Sequence, residues 1–215
     1  MTLRQLKQLK NASLILALVT ALLAGCSAVT VDRYARSALV LEPERFFQGK
    51  LCADGLVRDY QDRVIRRFNA RILASWDERG VGTLDEVFQF DDKPAGDVET
   101  RVWTLAPEPQ PGAYRASAGD VPEPALMRYA GNSLHMNYTL NYGEGDDAIQ
   151  LQMDDWMFLV AEGVIVNETK MSKWGLPVGS VLLVIRQVDA STACLPDARP
   201  TVSRLTPSSP NRVWL

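Results

Sequence analysis

The sequence predicts an all-β domain, an antiparallel up-and-down β-barrel of about nine strands with almost no helix. Three observations lead there. Apolar and polar residues alternate with the two-residue period of half-buried strands. They do so in Phe68, Ala70, Ile72, Ala74 and Trp76 against Asn69, Arg71, Leu73, Ser75 and Asp77, in Leu84, Glu86, Phe88 and Phe90, and in Leu134, Met136, Tyr138 and Leu140 against His135, Asn137, Thr139 and Asn141. Turn-forming clusters separate such runs: Asp91 to Asp97, Pro107 to Gly112 with three prolines, and Gly143 to Asp147. The strands follow one another closely within a single domain, which favours a barrel over a sandwich.

The chain opens with Arg4, Lys7 and Lys10 and no acid before Asp32. An apolar run from Leu14 to Ala24 follows, shorter than the roughly 20 residues that span a bilayer as a helix. It closes in Leu22, Leu23, Ala24, Gly25 and Cys26, which resembles the lipobox of bacterial lipoproteins. Residues 1–25 are therefore expected to be a cleaved signal peptide. Cys26 then carries a diacylglyceryl thioether and an acylated amino group, with palmitate-type chains enough for a stable membrane anchor. Ser27, where an aspartate would retain such proteins at the inner membrane, implies the outer membrane, with the domain facing the periplasm.

Residues 26–45 mix small, polar and charged types and read as a lipidated tether. The barrel is expected over 46–190, with strands at Phe47 to Arg58, Val64 to Trp76, Thr83 to Phe90, Val98 to Leu105, Tyr114 to Val121, Leu126 to Leu140, Ile149 to Val160, Val164 to Met171 and Val181 to Val188. Residues 191–215 form a tail with Pro196, Pro200, Pro207 and Pro210, which cannot pair centrally in a sheet.

Removing residues 1–25 takes away three positive charges and no acid, so the formal charge moves from −3 to −6. A chain so charged is a poor partner for nucleic acid. With Cys26 lipidated, Cys52 and Cys194 remain, at the start of the first strand and just past the last. Barrel closure brings those elements together, and an oxidising periplasm permits a bridge; two free buried thiols are the alternative.

Several short stretches occur in order after Cys26: Phe46-Phe47-Gln48-Gly49, Arg66-Arg67-Phe68, Thr83-Leu84-Asp85-Glu86-Val87-Phe88, Arg101-Val102-Trp103, Gly119-Asp120-Val121, Gly131-Asn132-Ser133-Leu134, Asp154-Asp155-Trp156-Met157, and Asn167 with Lys173-Trp174-Gly175. Together they resemble a family of proteobacterial lipoproteins catalogued as a domain of unknown function, DUF3833, over most of residues 34 to 188. The resemblance implies a lipocalin-like barrel, with no established reaction and no known cofactor. Cys52, Cys194 and the proline-rich tail depart from the family pattern.

Pairing Phe90 opposite Asp97 sets Glu86 across from Arg101 and Leu84 across from Trp103. Arg101 then either holds the carboxylate or phosphate of an amphipathic ligand or completes a structural ion pair. Asp120, Asn132, Asp155 and Asn167, with Trp103 and Trp156, mark one candidate pocket in which polar groups orient a ligand head and aromatic groups hold its tail. The same polar residues would serve equally to cap turns or complete buried hydrogen bonds. His135, the only histidine, lies mid-strand without a nucleophile-elbow motif and reads as a strand-face residue. No metal or cofactor site is expected: Asp91-Asp92 and Asp146-Asp147 flank turns, and Asp154-Asp155 must point to opposite faces of one strand.

Three functional readings follow. The first is a barrel that binds a lipid-like molecule for envelope lipid handling; the second is a filled barrel that engages a protein partner. The third, a hydrolase using a carboxylate such as Glu86 or Asp155, has no supporting spacing, and the expectation is a non-enzyme. Whether Phe88, Trp103 and Trp156 fill the interior or line an open space separates the first two.

Overall fold

A computed structural model describes residues 29–143 and 148–196. The expected signal peptide, the expected lipidation site Cys26, the acidic turn at 144–147 and the tail from 197 onward lie outside the described residues.

Ten strands follow in order: β1 (Gly49–Asp59), β2 (Val64–Trp76), β3 (Gly82–Phe90), β4 (Glu99–Pro107), β5 (Ala113–Ser117), β6 (Ala125–Ala130), β7 (Ser133–Tyr142), β8 (Ile149–Ala161), β9 (Val164–Lys173) and β10 (Leu176–Gln187). Each pairs antiparallel with its neighbours in sequence, and β10 returns to pair with β1, so the sheet closes as an up-and-down lipocalin-like barrel. The tenth strand arises where alternation alone read Leu126 to Leu140 as continuous. Gly131, at φ 54°, and Asn132 form a two-residue reversal between Ala130 and Ser133. Glycine at the first turn position supplies the positive φ that such hairpins need. The expected strand at Tyr114 to Val121 stops at Ser117, and the last strand begins five residues before Val181, at Leu176.

Alternation sets the two faces of the wall. Ala53, Ala70 and Phe88 form one inward row across β1, β2 and β3, and Asp155 and Thr169 pair inward across β8 and β9. One end of the barrel is closed. Leu51, Leu134 and Ile165 are fully buried there, as is Leu41 from the segment preceding β1.

That segment is not a free tether where it is described. Val31, in a 3₁₀ turn over Val31–Tyr34, is buried, and the Leu41 N–H donates to the Gly131 carbonyl at 2.7 Å. A single helical turn, α1 (Pro43–Phe46), starts on a proline, whose fixed φ suits the first helical position. It lies across the closed end and is fastened from three strands. Trp76 Nε1 donates to the Phe47 carbonyl at 2.7 Å, Gln187 Nε2 to the Phe46 carbonyl at 2.9 Å, and the Tyr114 hydroxyl to Glu44 Oε1 at 2.8 Å.

Cys52 and Cys194 are bridged, with Cα atoms 5.0 Å apart. The bond ties the chain just past β10 onto β1 and closes a loop with a sequence separation of 142. Chain entropy sets an upper bound of about 5 kcal/mol for so long a loop. Chemical denaturation with and without reductant should show a loss of about 2–4 kcal/mol on reduction, matched by Cys194→Ser.

Gly131 is a second point of dependence, because a Cβ there would lie 1.8 Å from the Tyr34 carbonyl oxygen. Gly131→Ala should therefore cost more than the ~1 kcal/mol of a left-handed residue alone, and should expose the 31–47 segment to early proteolysis. Limited proteolysis beside a thermal melt reads both effects.

Candidate functional site

The interior polar groups stand at mid-height in the barrel. Glu86 on β3 is directly opposite Arg101 on β4, and Leu84 is opposite Trp103, the register expected from the sequence. The ion pair itself goes elsewhere. Arg101 Nε and Nη2 both reach Asp120 Oδ2, at 2.8 and 2.7 Å, while Asp120 Oδ1 is buried without a hydrogen-bond partner.

This pairing repairs a gap in the wall. The β4–β5 ladder covers only Thr104 to Pro107, and the β6–β7 ladder stops at Met136, so the upper halves of β4 and β7, though paired with β3 and β8, lack a partner strand on the sides that face each other. The connection between β5 and β6 fills the space. Its Asp120 carbonyl accepts from the Asn141 N–H at 2.8 Å, and its Asp120 carboxylate is held by Arg101. The Arg101 guanidinium is thus engaged by Asp120.

On β8, beside β7, Asp155 is buried and accepts hydrogen bonds from Asn167 Nδ2 and the Thr169 hydroxyl. Asn167 also donates to the Trp156 carbonyl at 2.8 Å. Tyr138 is buried beside the cluster, edge-on to Trp103 with ring centroids 5.3 Å apart. Thr169 and Tyr138 were missed as site residues, although strand parity marks both: each lies two residues from an inward neighbour, Asn167 and Met136.

Two members of the candidate pocket do not belong to the interior. Trp156 pairs in register with His135 and Glu168, on the face opposite to Asp155, and stacks on the His135 ring with centroids 4.1 Å apart on the outside of the barrel. Adjacent residues on one strand cannot both point inward. Asn132 sits in the β6–β7 turn, where its side chain donates to the Leu159 carbonyl at 3.0 Å and staples neighbouring turns together. His135 Nε2 lies 2.7 Å from Asp154 Oδ1, also on the outer face.

Burial pushes the Glu86 carboxyl up from its ordinary 4.5 to about 7; the Arg101 charge opposes this, and Asp155, Asp120 and Asp85 reinforce it. Asp155 rises to about 6, again through burial, which outweighs the hydrogen bonds from Asn167 and Thr169. Tyr138 is held well above the usual phenol range by burial and then by the Asp155 charge.

The groups at this level are surrounded by the wall, yet they keep accessible surface. Glu86 and Phe88 are only partly buried, as are Val181 and Leu183 on the far side, and the Arg101 side chain is 25% exposed. A space at least as wide as a water molecule therefore lies beside them in the middle of the barrel. At the open end Arg66 lies over the Phe90 ring at 3.6 Å, 2.8 Å from Asp92 and 3.3 Å from Glu99. Its Nη1 reaches the Tyr142 hydroxyl at 3.5 Å, from β2 across the mouth to β7 on the opposite wall. Among the described residues, no group of three His, Cys, Asp or Glu side chains is placed to hold a metal.

The molecule is thus a small closed β-barrel with a floor, a mouth and an accessible, partly polar interior. The chain belongs to the DUF3833 family, described as a protein of unknown function, whose model matches residues 20–187. Among solved structures it is similar to an S-type phycobiliprotein lyase, CPES, from Guillardia theta, with a TM-score of 0.51 and 9% identity, covering 76% of this chain and 99% of that one. It is also similar to a protein of unknown function from the DUF3598 family of Nostoc punctiforme, with a TM-score of 0.48 and 10% identity, covering 70% and 50% of the two chains. None of the curated proteins matches. At these identities the likeness is one of fold.

Because the folded protein holds the Glu86 proton more tightly than the unfolded chain, this group's contribution to stability is full below pH 4.5 and is lost as pH rises through about 7. Its slope is at most about 1.4 kcal/mol per pH unit. Glu86→Gln should flatten the stability profile in that window and gain most over wild type near pH 8, as read by urea titrations between pH 4 and 8.

Proposed function

We propose that the barrel binds one small amphipathic molecule and does no chemistry on it. The observation that carries this is the accessible surface on inward-facing Glu86, Phe88 and Leu183 at mid-height, which a barrel filled by its own side chains would bury. The apolar part of the ligand lies toward the mouth, against Phe68, Phe88, Phe90 and Leu183. Its polar end reaches down to Glu86. The phycobiliprotein lyase likeness supports the fold; the ligand reading rests on the interior itself.

The polar end has a definable chemistry. Arg101 is already engaged by Asp120, and what remains accessible is the Glu86 carboxyl, with the partly buried Asp120 and the buried Asp155 close behind it. A carboxylate or phosphate head would add negative charge to three acids, whereas an ammonium or hydroxyl head donates to them. We place the protein at the bacterial outer membrane, anchored through lipid on Cys26 with its domain in the periplasm, and assign it to envelope lipid handling. The support for that location is the charged start, the short apolar run, Gly25-Cys26 and Ser27.

Native mass spectrometry tests the reading on the chain from residue 26 with Cys26→Ser, exported so that its disulfide forms. The expected result is a stoichiometric amphiphile released on denaturation. In titrations below the micellar range, dodecylamine should bind about tenfold or more tightly than dodecanoate, a preference that Glu86→Gln reduces. A mass without adduct, together with no binding of dodecylamine, dodecanol or dodecanoate, would overturn the proposal in favour of a barrel that acts only through its surface.

A further inference from the structure

We propose that the tips of the β1–β2 and β9–β10 hairpins form a docking surface for a lipid bilayer, which sets the barrel mouth against the membrane. The observation is where the exposed apolar residues lie. Trp174 is 87% exposed, Tyr60 70% and Leu176 67%, the three most exposed large apolar side chains among the described residues. All three belong to these two tips, joined by Ile65 at 57% and Val64 at 46%. Isolated apolar residues on a surface need no explanation, but a concentration at one end marks an interaction site.

The tips form one continuous patch. β1 pairs with β10 up to Asp59 opposite Gly179, directly below both turns. The two chains press together there, since a Cβ on Gly179 would lie 2.2 Å from the Arg58 carbonyl oxygen. Trp174 itself occupies the left-handed region, at φ 53°, followed by Gly175 at 79°. A bulky residue in that conformation is strained. Here the strain aims an indole out into solvent, with no burial in return.

The chemistry of the patch selects a bilayer over another occupant. Trp and Tyr combine an apolar body with a polar edge, which suits the headgroup level of a membrane, and flanking lysines reach the phosphates. Lys173 Nζ lies 4.7 Å from the Trp174 ring centroid. Residues 170–180 carry Lys170 and Lys173 and no acid, and residues 58–65 carry two arginines against two aspartates, in a chain whose formal charge is −3. At these two tips the local charge is therefore positive and coincides with the apolar residues, the pairing that draws a surface onto anionic lipid, while the β3–β4 turn at the same end is acidic, with Asp91, Asp92 and Asp97. The patch protrudes as hairpin tips and offers no flat face to a second copy. This inference stands on the rim alone and does not require an interior ligand.

Flotation with vesicles of phosphatidylethanolamine and phosphatidylglycerol tests it on the mature chain with Cys26→Ser, so that no covalent lipid contributes. The chain should float with the vesicles. The double change Trp174→Ser, Leu176→Ser should lower the bound fraction about tenfold or more, because two large side chains lose their burial in lipid. Tyr60→Ser with Ile65→Ser, on the other hairpin, should act in the same direction. Val40→Ser with Val160→Ser, 58% and 50% exposed but near the closed end, should leave flotation unchanged. Thermal midpoints equal to wild type verify folding. Absence of flotation, flotation indifferent to both rim variants, or vesicle-free dimerisation abolished by Trp174→Ser would overturn the proposal, the last by making the rim a self-association surface.

Discussion

In a closed barrel, each residue of a strand faces either the interior or the surroundings, and the alternation must stay in phase around all ten strands. This single constraint assigns every side chain that matters here. It carries Ala53, Ala70 and Phe88 inward along one row and sends Trp156 and His135 outward although Asp155, next to Trp156 in the strand, points in. A one-residue slip in any ladder would exchange the aromatic and polar interior for exposed Arg, Asp and Lys side chains. The closing pair β1–β10, reinforced by Cys52–Cys194, is what forbids the slip.

Closure also explains how polar groups come to lie inside. β5 and β6 are too short to complete the wall between β4 and β7, and the gap is filled by a connection rather than a strand. That connection needs an anchor, which Arg101 supplies by holding Asp120. A buried guanidinium must be paired, and one so paired draws further acids to its surroundings without an equal number of donors. Burial inside the wall raises the pKa values of Glu86 and Asp155, Glu86 to about 7, and the Arg101 charge opposes the rise. Polar interior and incomplete wall are thus two consequences of one topology.

The two ends differ because one is covered and the other is not. Residues 31–47 cross the lower end and contribute Leu41, Phe46 and Phe47 to the core, held by Trp76, Tyr114 and Gln187. At the upper end, among the described residues, the Arg66 side chain reaches across the mouth toward Tyr142. The exposed apolar tips of β1–β2 and β9–β10 lie on one side of that same end.

Much of this was legible in the residues themselves. Alternation in Phe68 to Trp76 and Leu134 to Leu140 marks strands whatever they pair with, because the pleat imposes a period of two locally. The Glu86–Arg101 register followed from one hairpin, and the Cys52–Cys194 bridge from the requirement that first and last strands meet. What the string could not supply was anything decided by residues far apart. Residues 31–45 carry no period because they pack as a floor against several strands at once. Gly131-Asn132 hides within an alternating run, and a two-residue turn leaves the pattern on either side undisturbed. Trp156 and Asn132 looked like pocket residues by chemistry alone, and only the pairing of β8 with β7 and β9 showed which way they face. Local periodicity sufficed for most of the strands and for their order, but not for the break between β6 and β7 or the early end of β5. The tertiary structure alone decided that Arg101 belongs to Asp120, because that contact depends on a gap in the wall that exists only once the sheet has closed.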